Sequence, residues 1–181
     1  MSDVRFAYAD PPYIGCAHMY KDHPDYGGEV DHEELVSKLL SEYDGFCLHT
    51  HVPGLRVLLP MMPDDVRVCA WVKPFAAFKP NVAPAYAWEP VLIRPVVKAE
   101  MVEGVVCRDW VSESITMKRG LTGVKPEKVC HWVFNISGLM GAEDETVIDL
   151  FPGTGAVGRA WDTYRDRLEW SNRKQLTLKV R

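Results

Sequence analysis

Short apolar runs of strand length alternate along the chain with stretches whose apolar residues recur at helical spacing. Val4 to Ala9 reads as a strand, and Gly45 to His49, Arg67 to Val72, Val91 to Val97 and Thr146 to Phe151 repeat that pattern. Asp31 is a natural N-cap, and Glu33 and Glu34 place negative charge where a helix N-terminus favours it. Leu35, Leu39 and Leu40 then line one face of a helix ending near Tyr43. Val52 to Met61 predicts a short helix, left at Pro60 and Pro63. Pro126, at a first helical position, opens another helix, with Val129, Trp132, Val133 and Ile136 on its apolar face and Gly138 and Gly141 beyond its end. Ala156 to about Leu168 forms one more helix, and Leu176 to Val180 a short last strand. This alternation predicts an α/β fold, a sheet covered by helices.

Between these elements lie polar or proline-rich connections. Ile14 to Val30 is a long loop rich in His, Asp, Gly and Tyr, and Lys73 to Pro90 carries four prolines. Pro95 suggests a bulge or an edge position for its strand. From Lys98 to Gly123 the pattern weakens to loop with some short helix.

Composition narrows the class. A chain of 181 residues with 47% hydrophobic and 25% charged residues is long enough to bury a core as one soluble domain. No apolar run reaches membrane-spanning length, and the start of the chain lacks a signal-peptide layout, so a cytoplasmic protein without a membrane partner is expected. The five cysteines form no CxxC pair, and His49 and His51 have no acid or cysteine at ligand spacing, so neither a disulfide framework nor a metal site is expected. A net charge of -4 means that any nucleic acid must be held by a local basic patch.

Two stretches carry chemistry. The strand Val4 to Ala9 runs directly into Asp10-Pro11-Pro12-Tyr13, where two prolines forbid helix and fix an acid, a carbonyl and an aromatic ring in a stiff turn. Near the other end, Asp149-Leu150-Phe151-Pro152-Gly153-Thr154-Gly155 follows a strand and precedes a helix, the arrangement that brings backbone close to a nucleotide-like ligand. Its glycines also match a dinucleotide fingerprint, but the 23 residues after Gly158 leave no room for a second nucleotide-binding half.

The first stretch resembles motif IV, and the second motif I, of the S-adenosylmethionine-dependent amino-methyltransferases. With the cofactor motif last and Lys125-Pro126-Glu127 before it in the place of motif X, the order is similar to the permuted β class of DNA adenine and cytosine amino-methyltransferases. Trp71-Val72-Lys73-Pro74 and Trp88-Glu89-Pro90 resemble the signatures in between, so that the likeness spans about Phe6 to Trp161. It implies a Rossmann-like methyltransferase sheet, circularly permuted, in one domain over residues 1–181. Residues 1–97 would form its catalytic half, 98–124 a loop or short helices, and 125–181 the cofactor-binding half.

The resemblance further implies S-adenosyl-L-methionine as cofactor and adenine in DNA as acceptor, since Asp rather than Ser stands before Pro-Pro. Cytosine N4, RNA or a protein amide are the alternative acceptors, and an inactive binding module with the same fold is the alternative to an enzyme. Asp10 and the Pro11 carbonyl would orient the amine, Pro12 would stiffen the turn and Tyr13 would stack on a flipped base. Asp149, Phe151, Gly153, Thr154 and Gly155 would hold the cofactor, with Lys125 and Pro126 closing its methionine end. Lys73, Lys79 and Trp88 are candidates for the DNA contact, the two lysines on a phosphate-facing edge that continues through the basic residues from Arg94 to Lys128. The family's ribose-binding acid has no counterpart after the expected strand Leu176 to Val180, which gives the domain a shortened C-terminal end. A homodimer or another chain completing the pocket would make good that loss.

Overall fold

The computed structural model describes residues 3–21, 27–74, 82–96, 107–115 and 124–179, with side chains of the last helix described as far as residue 168. Its centre is a mixed sheet of six strands: β1 (Val4–Ala9), β2 (Gly45–His49), β3 (Arg67–Val72), β4 (Trp88–Arg94), β5 (Trp110–Ser112) and β6 (Glu145–Asp149). They lie in the order β5-β3-β4-β2-β1-β6. β1 pairs in parallel with both β2 and β6, whereas β4 runs antiparallel to its neighbours β2 and β3, and β5 is parallel to β3.

The sequence of β1 explains its central place. Phe6, Ala7, Tyr8 and Ala9 are all completely buried, the continuous apolar run expected of a strand covered on both faces. Alternation then divides the core. Phe6 and Tyr8 pack on one side with Trp71, Ile93 and the apolar residues of helices α3 (Glu127–Ile136) and α4 (Ala156–Lys179). Ala7 and Ala9 face the other side, with Phe46, Leu48, Leu92 and the helices α1 (His32–Glu42) and α2 (Leu55–Leu58). Phe134 joins α3 to α4 through edge-to-face contacts with Trp161 and Tyr164, at centroid distances of 5.1 and 5.4 Å. The Tyr164 hydroxyl donates to the Leu139 carbonyl at 2.8 Å, tying α4 to the turn after α3.

Local signals work as anticipated at α1, where Asp31 Oδ1 accepts from the amides of Glu33 and Glu34, both at 3.0 Å. The short helix at Val52–Met61 is α2 flanked by a 3-10 turn on either side. Pro126 is the N-cap of α3 rather than its first helical residue, and its carbonyl accepts from Val129 at 2.9 Å.

Three further expectations are corrected. Leu176 to Lys179 is helix and not strand, with Val180 outside the described residues: α4 continues through Lys179, because no glycine or proline interrupts the helix-forming residues after Gly158. The fourth strand begins earlier, at Trp88, and is interior between β3 and β2, with Pro95 just past its end rather than at a bulge or edge. The weakly patterned stretch contains β5, whose three residues are too short to give a period; much of the rest of that stretch lies outside the described residues. Among the described residues no helix is long and apolar enough to cross a membrane.

Gly45 is fixed by the sheet itself. It pairs with Phe6, and a Cβ there would lie 2.7 Å from the Arg94 carbonyl oxygen and 2.7 Å from Val96 Cγ1. Gly45→Ala is expected to destabilise the fold by about 1–3 kcal/mol, seen as a lower urea midpoint at unchanged slope.

Candidate active site

The parallel register of β1 and β6 places Tyr8 opposite Asp149, so the two chemistry-bearing segments leave the sheet side by side. Asp10 follows β1 at once, and Phe151 begins the glycine turn two residues beyond β6. Their junction is held by the Leu150 amide, which donates to the Tyr8 carbonyl at 3.0 Å. Carboxyl ends of neighbouring parallel strands are the usual place for a ligand in an open α/β sheet.

Asp10 sits in a network of buried charge. Lys125, immediately before Pro126 at the cap of α3, puts its Nζ 2.9 Å from Asp10 Oδ1, 3.4 Å from the Tyr13 hydroxyl and 3.9 Å from Glu89 Oε2. The same Glu89 oxygen accepts the Tyr13 hydroxyl at 2.8 Å, and Glu89 Oε1 is paired with Lys73 at the end of β3. Aromatic rings close round the cations: Lys125 Nζ lies 5.3 Å from the Trp71 ring centroid and 5.8 Å from that of Tyr13, and Lys73 Nζ lies 4.9 Å from Trp71. Tyr13 stacks on His51 at 5.7 Å and 16°. Two carboxylates and two ammonium groups balance one another, as burial demands.

Burial sets the titrations. It raises the Asp10 carboxyl above its ordinary value, and the Lys125 charge offsets only part of that. Burial alone would lower the Lys125 ammonium, but Asp10 and then Glu89 outweigh it, so Lys125 stands above its ordinary value. Burial also works against the Glu89 carboxylate, yet Lys125 and Lys73 hold it below the usual range. Burial, with the charges of Asp10 and Glu89, pushes the Tyr13 phenol well upward and keeps it a donor. Beneath the site, Tyr8 Oη and His49 Nε2 are 2.9 Å apart, and burial followed by the Lys125 and Lys73 charges keeps His49 neutral.

The glycine turn is more open. Gly153 and Gly155 take φ values of 46° and 70°, the left-handed region in which a side chain would be strained. The Gly155 amide donates to the Pro152 carbonyl at 2.6 Å, and Arg159 donates to the Thr154 carbonyl at 2.8 Å. A Cβ on Gly153 would meet nothing closer than the Phe151 carbonyl at 3.8 Å, so the protein does not fill the space beside it. Asp149 Oδ1 accepts from the Phe151 amide at 3.1 Å; burial raises its carboxyl despite that bond, and the Asp10 charge adds to the rise.

No protein-family model and no curated protein matches the chain. Among solved structures it is similar to the crystal structure of the M1.HpyAVI-SAM complex, with a TM-score of 0.52 at 14% identity, over 90% of this chain and 80% of that one. The mixed α/β fold, a six-stranded sheet with helices, matches that of this Rossmann-like methyltransferase neighbour.

Of the residues singled out in the sequence, Asp10, Tyr13, Lys73 and Lys125 converge on one network, and Pro11 and Pro12 lie in its backbone. Lys73 is turned inward to Glu89, not outward as a phosphate-facing residue would be. Trp88, at the head of β4 and 36% exposed, stands opposite Val72, next to Lys73 in the chain. Lys79 lies outside the described residues. Glu89, His51 and Trp71 were not anticipated as site residues. Glu89 had one usable signal, an acid set between Trp88 and a proline at the start of an apolar run. Among the described residues no group of three or more His, Cys, Asp or Glu is placed to hold a metal ion.

Replacing Lys125 by Met leaves Asp10 without its nearest cation. Lys125→Met is expected to destabilise the protein by about 3 kcal/mol at neutral pH. Because the Asp10 carboxyl is raised, the deficit shrinks as pH falls through its titration, where a neutral acid needs no partner. It shrinks again at alkaline pH, as the wild type loses the Lys125 proton on passing through that raised value. Urea unfolding of both proteins across pH checks this, and a pH-independent deficit would contradict it.

Proposed function

We propose that the protein transfers a methyl group from S-adenosyl-L-methionine to the exocyclic amino group of adenine in DNA. One observation carries this reading: Asp10-Pro11-Pro12-Tyr13 leaves β1 directly beside the open glycine turn that leaves β6. The positive φ values at Gly153 and Gly155 and the unfilled space beside Gly153 fit a nucleoside-like cofactor. Phe151, Gly153, Thr154 and Gly155 would hold it together with Asp149, and Pro126 would border its methionine end. When bound, it supplies an electrophilic methyl group on a sulfonium.

The amino group of adenine is a poor nucleophile because its lone pair is delocalised into the ring. Asp10 and the Pro11 carbonyl accept its two N–H hydrogens and turn the lone pair towards the methyl group. Positive charge developing on nitrogen is stabilised by the Asp10 carboxylate, whose raised titration also suits it to take the proton released after transfer. Tyr13, braced by His51 and Glu89, stacks on the base, which must leave its duplex to reach this depth. Aspartate rather than serine before Pro-Pro favours adenine over cytosine.

The second reading is a binding module that keeps the fold without turnover. It is favoured by α4, which runs where the family's ribose-binding strand would follow. Transfer of labelled methyl from S-adenosyl-L-methionine to unmethylated DNA, RNA and protein separates the two. Asp10→Ala is expected to lose transfer at least about 100-fold while binding the cofactor with an affinity within a few-fold of wild type, by calorimetry. Equal labelling by both proteins would sink the role of Asp10, and cofactor binding with no transfer to any acceptor would favour the binding module.

A further inference from the structure

The transfer chemistry asks of Glu89 only that it brace Tyr13, although Glu89 also reaches Lys73 and Lys125. Lys125 presents a difficulty that Glu89 resolves. Its ammonium occupies Asp10 Oδ1 at 2.9 Å, on the carboxylate that an incoming amino group must approach. With a side chain only 6% exposed, Lys125 cannot retreat into water without breaking the packing around it. An ammonium leaving one buried carboxylate needs another within reach. Glu89 Oε2 is 3.9 Å away, so a shift of about 1 Å, the difference from the Asp10 distance, completes a second ion pair.

We propose that Glu89 is a positioning residue: it fixes the Tyr13 hydroxyl and takes up the Lys125 ammonium as Asp10 turns to the arriving amino group. The inference rests on the methyl-transfer reading. Its two oxygens divide the work. Oε1 is held by Lys73, while Oε2 faces both Tyr13 and Lys125. No bond is made or broken in this step; one cation moves between two anions, and the net charge of the cluster is unchanged. The groups bearing on Asp10 are Lys125, Glu89 and Lys73, with the phenols of Tyr8, Tyr13 and Tyr20 and the thiols of Cys47 and Cys130 nearby, all held neutral by burial, and Asp149 across the β1–β6 junction.

The test uses the full chain with 13C-carboxyl aspartate, comparing wild type, Glu89→Gln and Lys73→Met. Glu89→Gln removes a negative charge and leaves Lys125 to Asp10 alone, so the Asp10 titration midpoint falls. Lys73→Met removes a positive charge and frees Glu89 to compete for Lys125, so the midpoint rises. A residue that merely filled space would give neither shift. In transfer from S-adenosyl-L-methionine to unmethylated DNA, Glu89→Gln is expected to lose about 100-fold in kcat, with the cofactor KM within about twofold. An unmoved midpoint, shifts in the same direction, or an unchanged kcat would overturn the proposal. If wild type transfers no methyl group, the methyl-transfer reading falls and the two midpoints alone decide the place of Glu89. If Glu89→Gln does not fold, the rise in Lys73→Met upholds the coupling and its absence overturns it.

Discussion

The parallel pairing of β1 with β6 is the constraint on which the rest depends. It joins a strand near the start of the chain to one near its end, with Val4 opposite Glu145 and Tyr8 opposite Asp149. A register shifted by one residue would turn Phe6 and Tyr8 away from the α3 and α4 core and would separate the Asp10 turn from the glycine turn. The complete burial of residues 6–9 makes such a slip costly. Sheet packing and site geometry are therefore set by the same alternation of side chains.

Bringing Asp10 to a half-buried strand end creates an electrostatic demand that the surrounding elements answer. Lys125 arrives from the cap of α3, Lys73 from the end of β3 and Glu89 from the start of β4. Each carries its charge to one place from a different element, so the network also records the relative positions of those elements. A wholly apolar cluster of similar size would be at least as stable. Retention of four charged groups and a phenol at one end of the sheet is what a site built for polar chemistry requires, and local rules of burial are expected to be broken at such sites.

The sequence made the first turn legible because proline chemistry is local: Asp10-Pro11-Pro12-Tyr13 restricts its own backbone whatever surrounds it. The glycine turn was legible for the same reason, since Gly153 and Gly155 mark positive φ without help from tertiary contacts. Continuous apolar runs likewise disclosed β1 and β2. Trp71 and Glu89 stand in the two tryptophan signatures, but their contacts, like the stacking of His51 on Tyr13, are made only by the fold. Glu89 is far from both Tyr13 and Lys125 in the chain, and nothing in a single sequence pairs them. The C-terminal strand was misread because Leu176 to Val180 is short, and a short apolar run does not distinguish strand from a continuing helix. Lys73 was read as an outward cation because charge on a proline-rich loop is ordinarily solvated; the acid that turns it inward comes from the next strand.

The two halves of the site differ in how completely the protein itself organises them. Around Asp10, ionic, hydrogen-bonding and ring contacts tie Lys125, Glu89, Tyr13 and His51 into one network. Around Gly153 the backbone is shaped, yet Pro152 and Gly153 are exposed, and it is the Thr154 carbonyl that accepts from Arg159. Preorganised charge lowers a barrier because the dipoles need not rearrange during the reaction, whereas an open turn contributes mainly shape. In a methyl transfer the sulfonium already carries its positive charge, and new charge develops on the acceptor nitrogen. Rigidity is therefore worth most on the acceptor side, which in the proposed reading is the side of Asp10.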